Sequence, residues 1–396
     1  MKVTFVSNYM NHHQQPFSEA MQARLGENYT FIQTQPMEEE RVKMGWDTSA
    51  QSLSFVRKFW EEEENCRQLI LDSDVVIFGW TGMEELIVPR LRAGKLTFRN
   101  SERIYRDGQW KMISPRGLKQ KYHDYTKYRK APYYLLCSGG YVASDFSLIH
   151  SFPGKMLKWG YFPPYRSYDR DFLREKHRRE ENTPVELLWA GRFLELKHPE
   201  MALQAAKNLL QKDIPFHLTM VGAGELEQAL HQLTRQWELS EHVTFTGFQK
   251  PEQVRSYMEK AQIFLTTSDH REGWGAVLNE AMNSGCAVVA DHLMGAAPYL
   301  IRHGVNGYVY RDDHGEECIE YVEKLAKDAA LCGKLGAEAY RTIAEEWNAA
   351  QAADHFLADC ESLLAGREKL PVTEGPGSPA PVIAPGKMYR MLTGKR

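Results

Sequence analysis

Glu272 and Glu280 stand eight positions apart in the run TSDHREGWGAVLNEAMNSGCAVVAD, from Thr267 to Asp291. An apolar stretch ends near Thr267, a loop with Gly273, Trp274 and Gly275 follows, and a helical pattern begins around Ala276. The first carboxylate lies at the helix start and the second about one turn in, so both can face one crevice. Glycines there remove side chains where a ligand approaches the backbone. The N–H groups and positive dipole end of a helix start suit a diphosphate. A glycine turn opening an ordinary βα unit, with both glutamates on a solvated face, would give the same spacing.

Positioning such a crevice requires a parallel sheet with crossover helices. The second half supplies one: Val185–Ala190, His217–Val221, Val243–Thr246, Ile263–Thr267, Ala287–Ala290 and Gly307–Tyr310 read as short strands. Helical patterns start near Pro199, Glu225, Pro251, Ala276, Ala297 and Glu316. That alternation predicts a Rossmann-like sheet with ligands at the carboxyl ends of its strands. The first half repeats the rhythm with strands at Lys2–Ser7, Tyr29–Gln33, Val75–Trp80, Lys95–Arg99 and Tyr133–Ser138, and helical patterns such as Ser52–Leu71 and Met83–Ala93. The charged run YDRDFLREKHRREEN, Tyr168–Asn182, breaks the rhythm, and the stiff Phe162-Pro163-Pro164 before it marks the linker. The expected layout is an α/β chain of two Rossmann-like domains, 1–165 and 166–346, then a helix at 347–366 and a disordered, basic-ended tail at 367–396, rich in Pro, Gly and Ser.

Composition narrows the classes. With 396 residues, 43% apolar and 26% charged, the chain suits a two-domain globular protein. Six scattered cysteines without CxxC spacing read as reduced thiols in a cytoplasmic protein. No signal peptide is expected from MKVTFVSNYMNHHQQ. Asp72-Ser73-Asp74 has the look of a metal-binding triplet, but the apolar strand right after it makes a helix-to-strand turn the better reading. No metal or cofactor is expected.

The segment EGWGAVLNEAM followed by SGCAVVA resembles the donor-site motif of the retaining family-4 glycosyltransferases, the glycosyl transferases group 1, across residues 185–345. The resemblance implies the GT-B fold, two Rossmann-like domains facing each other across a cleft, and a nucleotide-diphosphate sugar as substrate. It makes Glu280 the binder of the ribose hydroxyls, Glu272 the holder of the donor sugar, and the backbone of Gly273, Trp274, Gly275 and Ala276 the contact to diphosphate or sugar. Leu187-Leu188-Trp189-Ala190-Gly191-Arg192 precedes Lys197, and the resemblance makes Arg192 and Lys197 the cations that neutralise the leaving diphosphate. Fixed cations there would stabilise the charge that builds as a sugar–phosphate bond breaks. Gly222 and Gly224 match the family's glycine turn near the phosphates.

The first half departs from the relatives. Paired histidines, His12 and His13, occupy the loop where many carry two glycines, and Glu102 stands where many carry a histidine. All three are candidates for the acceptor or sugar side; loop capping and a surface Glu-Arg pair are the competing readings. Between Arg90 and Lys130 stand 13 basic residues against Glu102, Asp107 and Asp124, interleaved with aromatics. Such a surface suits an anionic membrane face or a lipid-linked acceptor, with peripheral attachment at the inner face; a plain solvated face is the alternative. Nothing forms a nucleic-acid-binding motif.

The resulting expectation is a retaining, metal-independent glycosyltransferase acting on a glycan or lipid-linked acceptor in polysaccharide or glycolipid synthesis. A GT-B sugar-nucleotide epimerase and a non-catalytic donor-binding subunit are the alternatives.

Overall fold

The computed structural model describes residues 1–38, 52–180, 182–311, 315–367 and 369–395. It divides into two compact units, Met1–Pro164 with Trp347–Ile383, and Tyr165–Glu346 with Ala384–Arg396.

The first unit is built on seven parallel strands: β1 Val3–Ser7, β2 Tyr29–Gln33, β3 Val56–Lys58, β4 Val75–Phe78, β5 Leu96–Ser101, β6 Tyr133–Ser138 and β7 Met156–Trp159. Their order is β3-β2-β1-β4-β5-β6-β7. Strands such as β1 and β4 are buried at every position, which is why they are nearly continuous runs of Val, Ile and Phe rather than alternating patterns. The order reverses beside β1, where β2 lies on one side and β4 on the other. The helix Ala349–Leu364 belongs to this unit. Phe356 packs 4.9 Å from Phe98 and 6.2 Å from Phe17, ring centre to ring centre, and Asp354 pairs with Arg24.

The second unit carries six parallel strands: β8 Val185–Ala190, β9 Phe216–Val221, β10 Val243–Gly247, β11 Ile263–Thr266, β12 Ala287–Asp291 and β13 Tyr308–Tyr310, in the order β10-β9-β8-β11-β12-β13. Here the order reverses between β8 and β11, whose registers run Ile263 beside Leu187 and Leu265 beside Trp189. The loops leaving the carboxyl ends of those two strands are therefore neighbours, the position at which such sheets bind ligands.

Two sequence expectations need correction and a third gains detail. The predicted helix over 52–71 holds β3 and a helix only at Glu63–Asp72, because edge pairing of Val56–Lys58 with Phe31–Gln33 outweighs local helical periodicity. The charged run after Tyr168, where the sequence showed only a break in the rhythm, holds a helix, Arg170–Lys176. His177, right after it, bonds the Gly285 carbonyl at 2.8 Å through Nε2. The expected disordered tail is ordered. Gly377 and Ala380 donate backbone bonds to Lys158 and Met156 of β7, so Pro and Gly edge the sheet. Beyond them the helix Pro385–Thr393 buries Met388 and Tyr389, with Tyr389 Oη donating to Glu317 at 2.7 Å. Arg396 lies outside the described residues. All six cysteines are buried and none is in a disulfide.

Candidate functional site

The loop after β8 begins Gly191-Arg192 and closes in a short helical turn, Glu195–Lys197, followed by His198 in the left-handed region at φ 43°. The loop after β11 is laced to it. Trp189 Nε1 donates to Thr267 Oγ1 at 2.9 Å, Thr267 Oγ1 donates to the Lys197 carbonyl at 2.6 Å, and the Asp269 amide donates to the Leu196 carbonyl at 3.0 Å. This lacing brings Lys197 Nζ onto the carboxylate of Glu272 in a half-buried ion pair. Arg192 is exposed, and its guanidinium bonds no described residue. The switch point of the sheet thus presents one paired and one unengaged cation.

Two further charged groups of this crevice were invisible in the sequence. His198 sits between Asp269, at 3.4 Å, and Glu200, at 3.1 Å. The hydrogen bonds to Asp269 and then Glu200 raise its pKa to about 10, so it carries a positive charge at neutral pH. Asp269 is shared with Arg271, at 2.7 Å, and these partners hold its carboxyl below the usual range despite burial. A histidine next to Lys197 gave no spacing signal, because its partners come from another loop.

Glu280 lies on the helix Ala276–Asn283. Its carboxylate accepts no hydrogen bond from a described residue, and desolvation raises its pKa from 4.5 to about 7, against the opposing pull of Arg255 and Arg166. Arg255 is buried and spends a guanidinium nitrogen on the Glu280 carbonyl at 2.6 Å; Arg166 is paired with Glu259 at 2.7 Å. A half-buried, desolvated carboxylate without a donor from the described residues is an acceptor for hydroxyls that arrive from outside.

The glycines divide by role. A Cβ on Gly222, at φ 143°, would stand 1.8 Å from the Gly191 carbonyl oxygen, and one on Gly224 would stand 2.6 Å from that of Phe193. Both are small because the loops after β8 and β9 touch backbone to backbone. Gly275 caps the Glu280 helix at φ 89°, and a Cβ there would meet Met294 at 2.7 Å. Ala276 is the first helical residue, so its N–H and its neighbours' have no intrahelical acceptor. Gly273 is buried, its carbonyl packed against Gly295. Trp274 is 1% exposed and donates from Nε1 to Asn279 at 2.8 Å. Its indole is core, so any contact it offers a donor is through its backbone.

In the first unit the three residues singled out on the sequence come together, through a fourth that was not. His12 and His13 follow β1 with ring centres 3.8 Å apart, and His13 stacks on Tyr161 at 5.5 Å and 10°. Tyr161 Oη donates to Glu102 at 2.5 Å, and Glu102 also pairs with Arg106. Burial lowers the pKa of both histidines, and repulsion between the two rings when protonated lowers His13 further. Glu102 lines a pocket of about 230 Å³ with Gly79, Trp80, Thr81 and Asn100, at the carboxyl ends of β4 and β5.

The basic run between Arg90 and Lys130 is only partly a surface. Arg90 is fully buried and donates to the carbonyls of Ile70, Ser73 and Leu96; Arg99 pairs with Glu84 and Arg103 with the buried Asp145. These three cations close the interior.

Residues 169–342 match the family model described as "Glycosyl transferases group 1". AmsK of Erwinia amylovora, an amylovoran biosynthesis glycosyltransferase, is 30% identical over 152 residues, 37% of this chain and 37% of that one. A GDP-mannose-dependent alpha-(1-6)-phosphatidylinositol monomannoside mannosyltransferase of Mycobacterium tuberculosis is 25% identical over 315 residues, 74% of this chain and 78% of that one. The matched stretches span about a third to a half of the first relatives' own length. HepE of Anabaena, solved in complex with UDP, superposes with a TM-score of 0.65 at 13% identity, covering 92% of this chain and 100% of that one. That likeness is one of fold, and the fold is GT-B. Residues 169–342 are therefore similar to the glycosyl transferases group 1, within a chain of GT-B fold.

Proposed function

We propose that this chain is a retaining glycosyltransferase that moves a sugar from a nucleotide-diphosphate sugar to an acceptor hydroxyl. The observation that carries the reading is the half-buried carboxylate of Glu280, desolvated and without a donor among the described residues, on a helix that follows the loop holding Glu272 against Lys197. Keeping such a group costs stability, and a pair of ribose hydroxyls would supply the missing donors. Glu272 would hold the sugar's hydroxyls. The diphosphate would lie toward the helix start at Gly273–Ala276, with Arg192 and Lys197 on its oxygens.

As the sugar–phosphate bond breaks, its electron pair goes to the phosphate oxygen, where the two cations and the helix dipole stabilise it. The acceptor oxygen bonds to the anomeric carbon on the face the phosphate leaves, and its proton passes to the departing phosphate oxygen. His12, His13 and Glu102, tied together through Tyr161, would hold the acceptor or sugar side. Relatives named for amylovoran and phosphatidylinositol mannoside synthesis support a glycan or lipid-linked acceptor and a role in polysaccharide or glycolipid assembly. In this reading the cations do the work a divalent metal does elsewhere.

The test is thermal stabilisation by UDP, GDP, ADP and their common sugar conjugates, repeated on Glu280→Ala. A ligand that binds the native state alone raises the melting temperature. One nucleotide should do so in the parent and fail in the variant. Equal stabilisation of both proteins would remove Glu280 from the site.

A further inference from the structure

We propose that the crossover between β5 and β6 is a docking surface for anionic lipid bilayers, with residues 109–124 as the element that enters the interface. The crossover starts beyond Ser101, beside Glu102. It contains a helical turn, Gln109–Ile113, and the helix Pro115–Asp124, capped by Ser114. Met112 packs into the core of the first unit and anchors the turn. The residues around it face outward: Trp110 is 68% exposed, Ile113 75%, Leu118 38% and Tyr122 54%. Leu118 and Tyr122 are four apart and share one helix face. Gly117, Lys121 and Asp124 form the half-buried inner face, with Lys121 over the Tyr105 ring at 5.4 Å.

Cations frame the apolar group. Residues 109–130 contain seven lysines and arginines and one carboxylate, Asp124, in a chain whose net charge is −3. Arg116, Lys119, Lys127, Arg129 and Lys130 are exposed, and Asp124 is held by Gln120 at 2.9 Å. Lys111 is paired with Asp107. Arg90, Arg99 and Arg103 lie inside the fold, so the surface charge concentrates here.

Charge alone would suit any polyanion. Exposed Ile113 and Leu118, flanked by Trp110 and Tyr122, offer nothing to a phosphodiester chain. They suit the boundary between headgroups and acyl chains, where aromatic rings sit and aliphatic side chains bury while lysines and arginines meet anionic headgroups. No described helix is long and apolar enough to cross a membrane, so the contact is a surface one. The inference does not depend on the transferase reading.

The test is co-sedimentation of the full chain with phosphatidylcholine vesicles, with and without phosphatidylglycerol, and with single-stranded RNA as a competitor. The parent should bind the anionic vesicles, release them as salt rises, and leave the neutral ones in solution. Trp110→Ser with Ile113→Ser, and separately Arg116→Glu with Lys119→Glu, should each lower binding at least about tenfold. All four side chains are exposed, so the melting temperature should stay that of the parent. Parent-like binding by the serine variant, or RNA displacing the parent from vesicles while binding the serine variant equally well, would overturn the proposal in favour of an electrostatic surface for another polyanion. Absence of binding to anionic vesicles would overturn it outright.

Discussion

Replacing Glu280 by Gln should stabilise the free protein, and increasingly so as the pH rises. Burial moves its carboxyl from 4.5 to about 7, so the native state holds the proton more tightly than the unfolded chain does. Stability attached to this group therefore falls as pH rises from about 4.5 to about 7 and is flat above. At ~1.4 kcal/mol per pH unit, ionised Glu280 costs the folded state roughly 3 kcal/mol at pH 8 and about 1 kcal/mol at pH 5. Glutamine has nearly the same shape and carries no charge to desolvate. Urea unfolding of parent and Glu280→Gln at the two pH values should give a difference in the variant's favour that grows by about 2 kcal/mol from pH 5 to pH 8, with the slope m unchanged. The same variant should lose nucleotide-dependent stabilisation, the trade expected of a strained functional group. A stability difference independent of pH would refute the reasoning, because it would mean that the carboxylate is solvated or already partnered.

Arg192→Ala should cut turnover by about 10²–10³ with an unchanged melting temperature, since the side chain is exposed and bonds no described residue; a parent-like rate would remove it from the leaving-group site. Gly222→Ala should destabilise by roughly 3 kcal/mol or more in denaturant titration, because its Cβ would meet the Gly191 carbonyl at 1.8 Å; a neutral effect would mean that the loops after β8 and β9 are looser than described. Truncation after Arg367 should lower the melting temperature through loss of the buried Val372, Met388 and Tyr389, whereas a disordered tail would leave it unmoved. The charge of His198, held by Asp269 and Glu200, should persist below about pH 10. Its histidine resonances should therefore titrate above those of exposed histidines, and Asp269→Asn should bring them back toward 6.5.

Local information in the chain was enough for the second unit. Apolar runs with glycine turns gave its strands within a residue or two, and the spacing of Glu272 and Glu280 with a helix start between them pointed to the loop that follows β11. Strand and helix periodicity are properties of neighbouring residues, so they survive without the fold. Local reading failed where a distant partner set the outcome. Val56–Lys58 is a strand because β2 offers an edge, and residues 377–380 are ordered because β7 does. Lys197 and Glu272, 75 positions apart, meet because the strand order places β8 beside β11. His13, Tyr161 and Glu102 likewise meet at one end of the first sheet. Burial decided the rest: it sent Trp274, Arg90, Arg99 and Arg103 inside, left Trp110 and Ile113 outside, and partly desolvated Glu280. A residue's charge and shape are written in the chain, but its solvation and its partners come from which strands the crossovers set side by side.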